Sequence, residues 1–187
     1  MNEIIQEDKA AFLYLNNLGS TAFDQFWIMV SGTAVWIPLY IILVYLLYKT
    51  FGWKNMIYIV IFIAIGVTIS DQLASVFKYG IARLRPCHDP SLDDLMREVK
   101  CGGQFGFYSA HASNTFFLAT FITVLLRTTF RYLPFLLFIW AATVAYSRIY
   151  LGVHFPVDIL FGAAVGFLIG GLMSNLTLKT ISRKGRK

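Results

Sequence analysis

Ser147-Arg148-Ile149-Tyr150-Leu151-Gly152-Val153-His154-Phe155-Pro156-Val157-Asp158 sets a cation, an imidazole and a carboxylate in a chain that is otherwise apolar for tens of residues on either side. A charged side chain at the middle of a bilayer costs about 2.5–3.5 kcal/mol even on the mildest scale, so three ionisable groups at one membrane edge need a reason. Two further polar islands, Lys78 to Pro86 and Tyr108 to His111, carry groups that match them. Together the three imply one polar site facing water at the end of a helix bundle.

Composition places that bundle in lipid. Of 187 residues, 57% are hydrophobic and only 14% charged, and the mean hydropathy is +0.64; a soluble domain is far more polar. The expected fold is all-α, an integral membrane helix bundle forming a single domain over residues 1–187. The first residues, Asn2, Glu3, Gln6, Glu7 and Asp8, are acidic and polar. They offer neither the basic region nor the small-residue cleavage site of a signal peptide.

Working outward, residues 4–18 place Ile4, Asp8, Ala11, Phe12, Leu15 and Leu18 at helical spacing, with Glu7, Asn16 and Asn17 elsewhere. That pattern predicts an amphipathic arm, 1–32, lying in the membrane interface. Apolar runs follow at about 34–48, 56–77, 112–126, 132–150 and 157–176, each near the ~20 residues needed to cross. Pro38 falls inside the first. A turn at Lys49 to Lys54 contains Gly52. The prediction is about five transmembrane helices in 33–177, an outer loop at 78–108 and a basic tail at 178–187.

Charge orients the bundle. With five spans and the tail inside, one side holds Lys49, Lys54, Arg127, Arg131, Lys179, Arg183, Lys184, Arg186 and Lys187 and no acid; all ten acidic residues lie on the other or at its edge. This obeys the positive-inside rule. It places the chain in the inner (cytoplasmic) membrane, with a cytoplasmic C-terminus and the polar islands facing the periplasm or cell exterior. The net charge of +6 is then a membrane anchor, and no nucleic-acid partner is expected. A sixth span over 12–31 would bury Asp24 and turn Glu3, Glu7 and Asp8 inward, so five spans and an arm are preferred.

Both cysteines, Cys87 and Cys101, fall in the outer loop. Outside the cytoplasm such thiols tend to pair, bracing the loop, and a disulfide is expected over two free thiols. Cys87, His88 and Cys101 lack the paired spacing of a structural zinc site, and no metal is expected.

The islands carry complementary chemistry. Were the first helical, Lys78 and Arg85 would stand two turns apart on nearly one side, an ammonium and a guanidinium suited to a phosphate. Basic residues at a membrane edge are the plainer alternative. Ser109 is placed to cap a helix starting near Ala110, whose free N–H groups bind anions; His111, one turn in, could donate a proton. In the third island His154 and Asp158 sit at i and i+4. Asp158 can take the N–H of one ring nitrogen, leaving the other as a nucleophile. The alternative there is an ordinary helix-terminal ion pair. Arg148 arrives at the same edge from the preceding span.

These blocks resemble the signature of the membrane type-2 phosphatidic acid phosphatase (PAP2) family: Lys, six residues, Arg-Pro; Ser-x-His; and Ser-Arg, five residues, His, three residues, Asp. Lys78, Arg85, Pro86, Ser109, His111, Ser147, Arg148, His154 and Asp158 match in order. The resemblance implies a phosphohistidine on His154 oriented by Asp158, and His111 as acid to the leaving alcohol. It implies a phosphate cradle of Lys78, Arg85, Ser109, the Ala110 N–H and Arg148, with no cofactor. The family's second block usually reads Pro-Ser-Gly-His, where this chain has Tyr108-Ser109-Ala110-His111, and six spans are common.

Three functions follow for comparison. The first is an outer-leaflet lipid phosphatase releasing inorganic phosphate. The second is a lipid-phosphate receptor or transporter that binds without chemistry. The third is a soluble vanadium haloperoxidase, which the lipid-type composition opposes. Candidate substrates are lipid A phosphate, undecaprenyl pyrophosphate, phosphatidic acid and phosphatidylglycerol phosphate. The short outer loop favours the first two. Asp71, two turns before Lys78, is read as a partner for Lys78 or a motif arginine, or as purely structural.

Overall fold

The computed structural model describes residues 2–184, and among these it is all-helical, without a β-strand. The helices are α1 (Asn2–Asn17), α2 (Asp24–Ser31), α3 (Ile37–Ile81), α4 (Ala110–Leu126), α5 (Leu133–Tyr150) and α6 (Pro156–Lys184). Among the described residues, three apolar segments are long enough to cross a membrane: Ala34–Ile81, Leu133–Tyr150 and Pro156–Arg183; Ala110–Leu126 is a shorter apolar helix. The first of these is not one rod. Gly52 interrupts it with φ 72° and ψ 170°, a conformation that glycine alone adopts readily. Leu43 and Val44 before the break line the same cavity as Ile63 and Val67 after it. In a straight helix Leu43 and Ile63 would stand about 30 Å apart. The segment is therefore two arms, 37–51 and 53–81, folded together, and the bundle has five apolar arms. Pro38 lies in the first turn of α3, where its missing N–H costs nothing.

α4 is the hub. It packs on α3, α5 and α6, most extensively on α6. Gly162, Gly166 and Gly170 make that approach possible. A Cβ at Gly162 would stand 2.5 Å from the Ser109 carbonyl oxygen, one at Gly170 2.8 Å from that of Phe117, and one at Gly166 would collide with Ser113. Small residues four apart let two backbones meet in lipid. Around this seam Phe117, Phe121, Leu126 and Leu137 are fully buried, while Ile41, Phe135, Leu168 and Leu172 face outward as lipid-facing residues should.

The N-terminal arm departs from expectation. Its buried face is Asp8, Phe12 and Asn16, whereas Ile4 and Leu18 are exposed. The reason is that α1 docks on protein. Asn16 Nδ2 donates to the carbonyls of Arg97 (3.1 Å), Ile149 (3.1 Å) and Tyr150 (3.0 Å), and its Oδ1 accepts from the Arg97 N–H at 2.7 Å. Asp24 accepts from Arg97 Nη2 and Tyr150 Oη, each at 2.9 Å. At the other end α6 runs on to Lys184, so 178–184 continues the helix rather than forming a separate tail; Arg186 and Lys187 lie outside the described residues. In the outer loop Cys87 and Cys101 are disulfide-bonded, with Cα atoms 5.8 Å apart.

Candidate active site

Lys78 occupies the last turn of α3. The chain leaves that helix at Ala82, whose φ of 52° is left-handed. Arg85 is consequently on an extended loop and not two turns along a helix from Lys78. The loop holds it by other means. Leu84 pairs with Phe105, the Arg85 N–H donates to Gln104 O at 3.0 Å, and Arg85 Nε donates to Phe105 O at 3.2 Å. Gly106 sits between this arginine and the third island: a Cβ there would be 3.1 Å from Arg85 Cγ and 3.2 Å from Asp158 Oδ2.

Ser109 caps α4, its Oγ accepting the Ala112 N–H at 3.4 Å. Its own N–H donates to Asp158 O at 3.1 Å, so the N-termini of α4 and α6 are tied side by side. The leading amides of α4, including those of Ala110 and His111, have no partner within their helix. Arg148 ends α5 and is 9% exposed. It donates through Nη1 to Ser31 Oγ, while its Nε is buried without a partner.

Gly152, with φ 82°, turns the chain out of α5, so His154 lies in a loop ahead of α6 and not on the same helix as Asp158. Asp158 is the third residue of α6. Its Oδ2 reaches back to the Phe155 N–H at 3.0 Å, one half of a capping box. His154 Nδ1 stands 3.5 Å from the same Oδ2, an ion-pair distance longer than a hydrogen bond. Asp158 flanks Nδ1, which directs Nε2 away from it. Burial pulls His154 down from 6.5 to about 4; Asp158 opposes that shift, and Arg148 and Arg85 reinforce it. The imidazole is therefore neutral at neutral pH, with a lone pair to offer.

The three islands converge. Arg148, His154, Lys78 and Arg85 all lie within electrostatic reach of His111, and Arg85, Arg148 and Asp158 within reach of Lys78. Three cations around two imidazoles make a basin for a multiply charged oxyanion. His111 is exposed on the wall of a cavity of about 420 Å³, mostly apolar, that runs between α3, α4 and α5 past Asn114, Tyr40, Leu118 and Trp140. Asp71 accepts a hydrogen bond from Asn114 Nδ2 at 2.8 Å and lies within electrostatic reach of Lys78 without a direct ion pair to it. Cys87, His88 and Cys101 are clustered, but their sulfurs are joined to each other and offer no thiolate.

Four contributors escaped the sequence reading: Asp8, Ser31, Arg83 and Asn114. Arg83 Nη1 donates to Asp158 Oδ1 at 2.8 Å, and its Nη2 to Asp8 Oδ2 at 2.6 Å. The signal for Asp8 was available, since a carboxylate on the apolar stripe of the arm asks for a cation. Ser31 gave none.

The PAP2 superfamily profile matches residues 54–182. Over 180 residues, 94% of this chain and 79% of the relative, the sequence is 36% identical to the lipid A 4'-phosphatase of Bacteroides thetaiotaomicron. Over 188 residues, 98% of this chain and 78% of the relative, it is 35% identical to the lipid A 4'-phosphatase of Porphyromonas gingivalis. Among solved structures, the transmembrane PAP2-type phosphatidylglycerolphosphate phosphatase of Bacillus subtilis superposes with a TM-score of 0.71 at 21% identity. That match covers 96% of this chain and 88% of that one.

Proposed function

This chain belongs to the PAP2 superfamily and is a membrane lipid phosphatase, and we propose that it removes the 4'-phosphate of lipid A at the extracytoplasmic face through a phosphohistidine on His154. The observation that carries the chemistry is the buried, neutral His154 beside Asp158 within reach of Arg85, Arg148 and His111. Two relatives named for lipid A support the substrate. So does the apolar cavity that begins at His111, which suits an acyl chain beside a phosphate held at the rim.

In this mechanism Lys78, Arg85 and Arg148, with the Ser109 hydroxyl and the Ala110 N–H, hold the three non-bridging oxygens. Phosphoryl transfer asks mainly for such positioning and charge stabilisation. His154 Nε2 attacks phosphorus, the bond to the sugar oxygen breaks, and His111 gives that oxygen its proton. Water then attacks the phosphohistidine, His111 takes a proton from it, and inorganic phosphate leaves. The charge asymmetry of the loops supports an outward-facing site and a cytoplasmic C-terminus.

His154→Ala in purified, folded protein is expected to abolish phosphate release from lipid A in EDTA-containing buffer. A panel adding undecaprenyl pyrophosphate, phosphatidic acid and phosphatidylglycerol phosphate ranks the substrates. Full activity of His154→Ala overturns the mechanism; faster turnover of another panel member overturns the substrate.

A further inference from the structure

We propose that Asp8 and Arg83 are positioning residues for the phosphoryl transfer: the N-terminal arm delivers a carboxylate that clamps Arg83 onto Asp158 and thereby fixes the partner that orients His154. This rests on the reading of His154 as the nucleophile.

Asp158 is fully buried and would cost far too much as a bare anion. Arg83 supplies the countercharge, through Nη1 to Asp158 Oδ1 at 2.8 Å. A lone guanidinium with its side chain 21% exposed could swing to solvent or draw the carboxylate away from the imidazole. Asp8 prevents both. Its Oδ2 takes Arg83 Nη2 at 2.6 Å, and its Oδ1 takes the Val157 N–H at 2.9 Å, one of the donors that the start of α6 leaves free. The result is a closed ring from Asp158 through Arg83 and Asp8 back to the residue before Asp158. The arginine is fixed by two charged bonds in a planar fork that lysine could not reproduce.

Packing follows the same route. The Arg83 guanidinium lies 4.2 Å over the Phe155 ring, and Phe155 meets Phe12 edge-on at 5.4 Å. Phe12 is one turn beyond Asp8 on the arm. One face of α1 therefore holds, through Asp8 and Phe12, both Val157 and Phe155, the residue that follows His154. Charge follows too: Asp8 balances Arg83, so the negative charge of Asp158 remains effective at Nδ1. The other charged or titratable groups in reach of His154 are Arg148 from α5, Arg85 from the outer loop and His111 from α4.

The test measures phosphate release from lipid A in detergent by wild type, Asp8→Asn, Arg83→Lys, His154→Ala and Asn16→Ala. Asp8→Asn can still accept the Val157 N–H but leaves Arg83 unbalanced. It is expected to lose roughly tenfold in kcat, with KM within twofold, and to shift the acid limb of kcat/KM to lower pH; Arg83→Lys keeps the charge but loses the fork, and should lower kcat with the limb unmoved. Asn16→Ala unlatches the arm away from the site and is expected to lower thermal stability without moving the pH profile. Wild-type kcat and pH profile in folded Asp8→Asn overturn the inference, as does the same shift in Asn16→Ala, which would mean that the arm acts only as a tether. Activity in His154→Ala overturns the reading beneath it instead.

Discussion

At His154, burial and charge pull in opposite directions. Removal from water disfavours the imidazolium, Asp158 favours it, and burial prevails, leaving the group at about 4. The catalytic sign follows directly. Above that value the ring is neutral and able to serve as the proposed nucleophile, so the acid limb of kcat/KM is expected where pH drops through about 4. Asp158→Asn removes the opposing influence and should move the limb lower still, as a pH–rate profile will read. Stability has the same sign. An unfolded chain protonates near the ordinary 6.5 while the native one resists, so this residue's contribution is complete above 6.5 and lost as pH falls toward 4. Much of this was legible in the residues themselves, because Arg148, His154 and Asp158 stand out against apolar flanks. The geometry was not. Helical spacing suggested His154 and Asp158 on one helix, and it took the turn at Gly152 to put them on either side of a helix start.

Among the elements, the α4–α6 seam matters most to the site, because Ser109 and Asp158 are joined across its outer end by the 3.1 Å bond from Ser109 N–H to Asp158 O. Gly166 lies in the middle of the seam, where any side chain meets the Ser113 backbone. Gly166→Leu is expected to destabilise the protein by about 1–3 kcal/mol, the usual cost of overpacking, measured as a lower midpoint in thermal unfolding in detergent. Activity should drop with it, since spreading α4 from α6 separates the capping serine from the third island. The Gly162, Gly166, Gly170 spacing stood in the sequence as a small-residue stripe. Which helix would meet it did not, because a smooth backbone face fits several neighbours equally well.

For the whole molecule, the question is how segments distant along the chain are held at one rim. The outer loop is closed by Cys87–Cys101 and carries Arg85 and Gly106 against Asp158. Cutting a cross-link over a loop of this size costs about 3 kcal/mol in the chain-entropy model. Reduction with dithiothreitol is expected to lower the denaturation midpoint by a corresponding amount and to raise KM more than it lowers kcat. Cys87→Ser with Cys101→Ser should reproduce both changes. The arm acts at the same scale, since Asn16 gathers carbonyls from the loop and from α5 and so connects the first turns of the chain to the last.

What the sequence determined by itself was a matter of composition, period and order. Apolar runs near bilayer length force helices, since lipid offers the backbone no other partner. Basic residues gathered on one side of the runs support the proposed orientation, and a fixed succession of lysine, arginine, serine and histidines marks the family. Only the tertiary structure decided which side chains complete the site from outside that succession. Asp8, Ser31 and Arg83 owe their places to contacts across 75 to 149 positions of chain. A local pattern records which face of an element is apolar, but the partner of a buried charge is chosen by where distant elements come to rest.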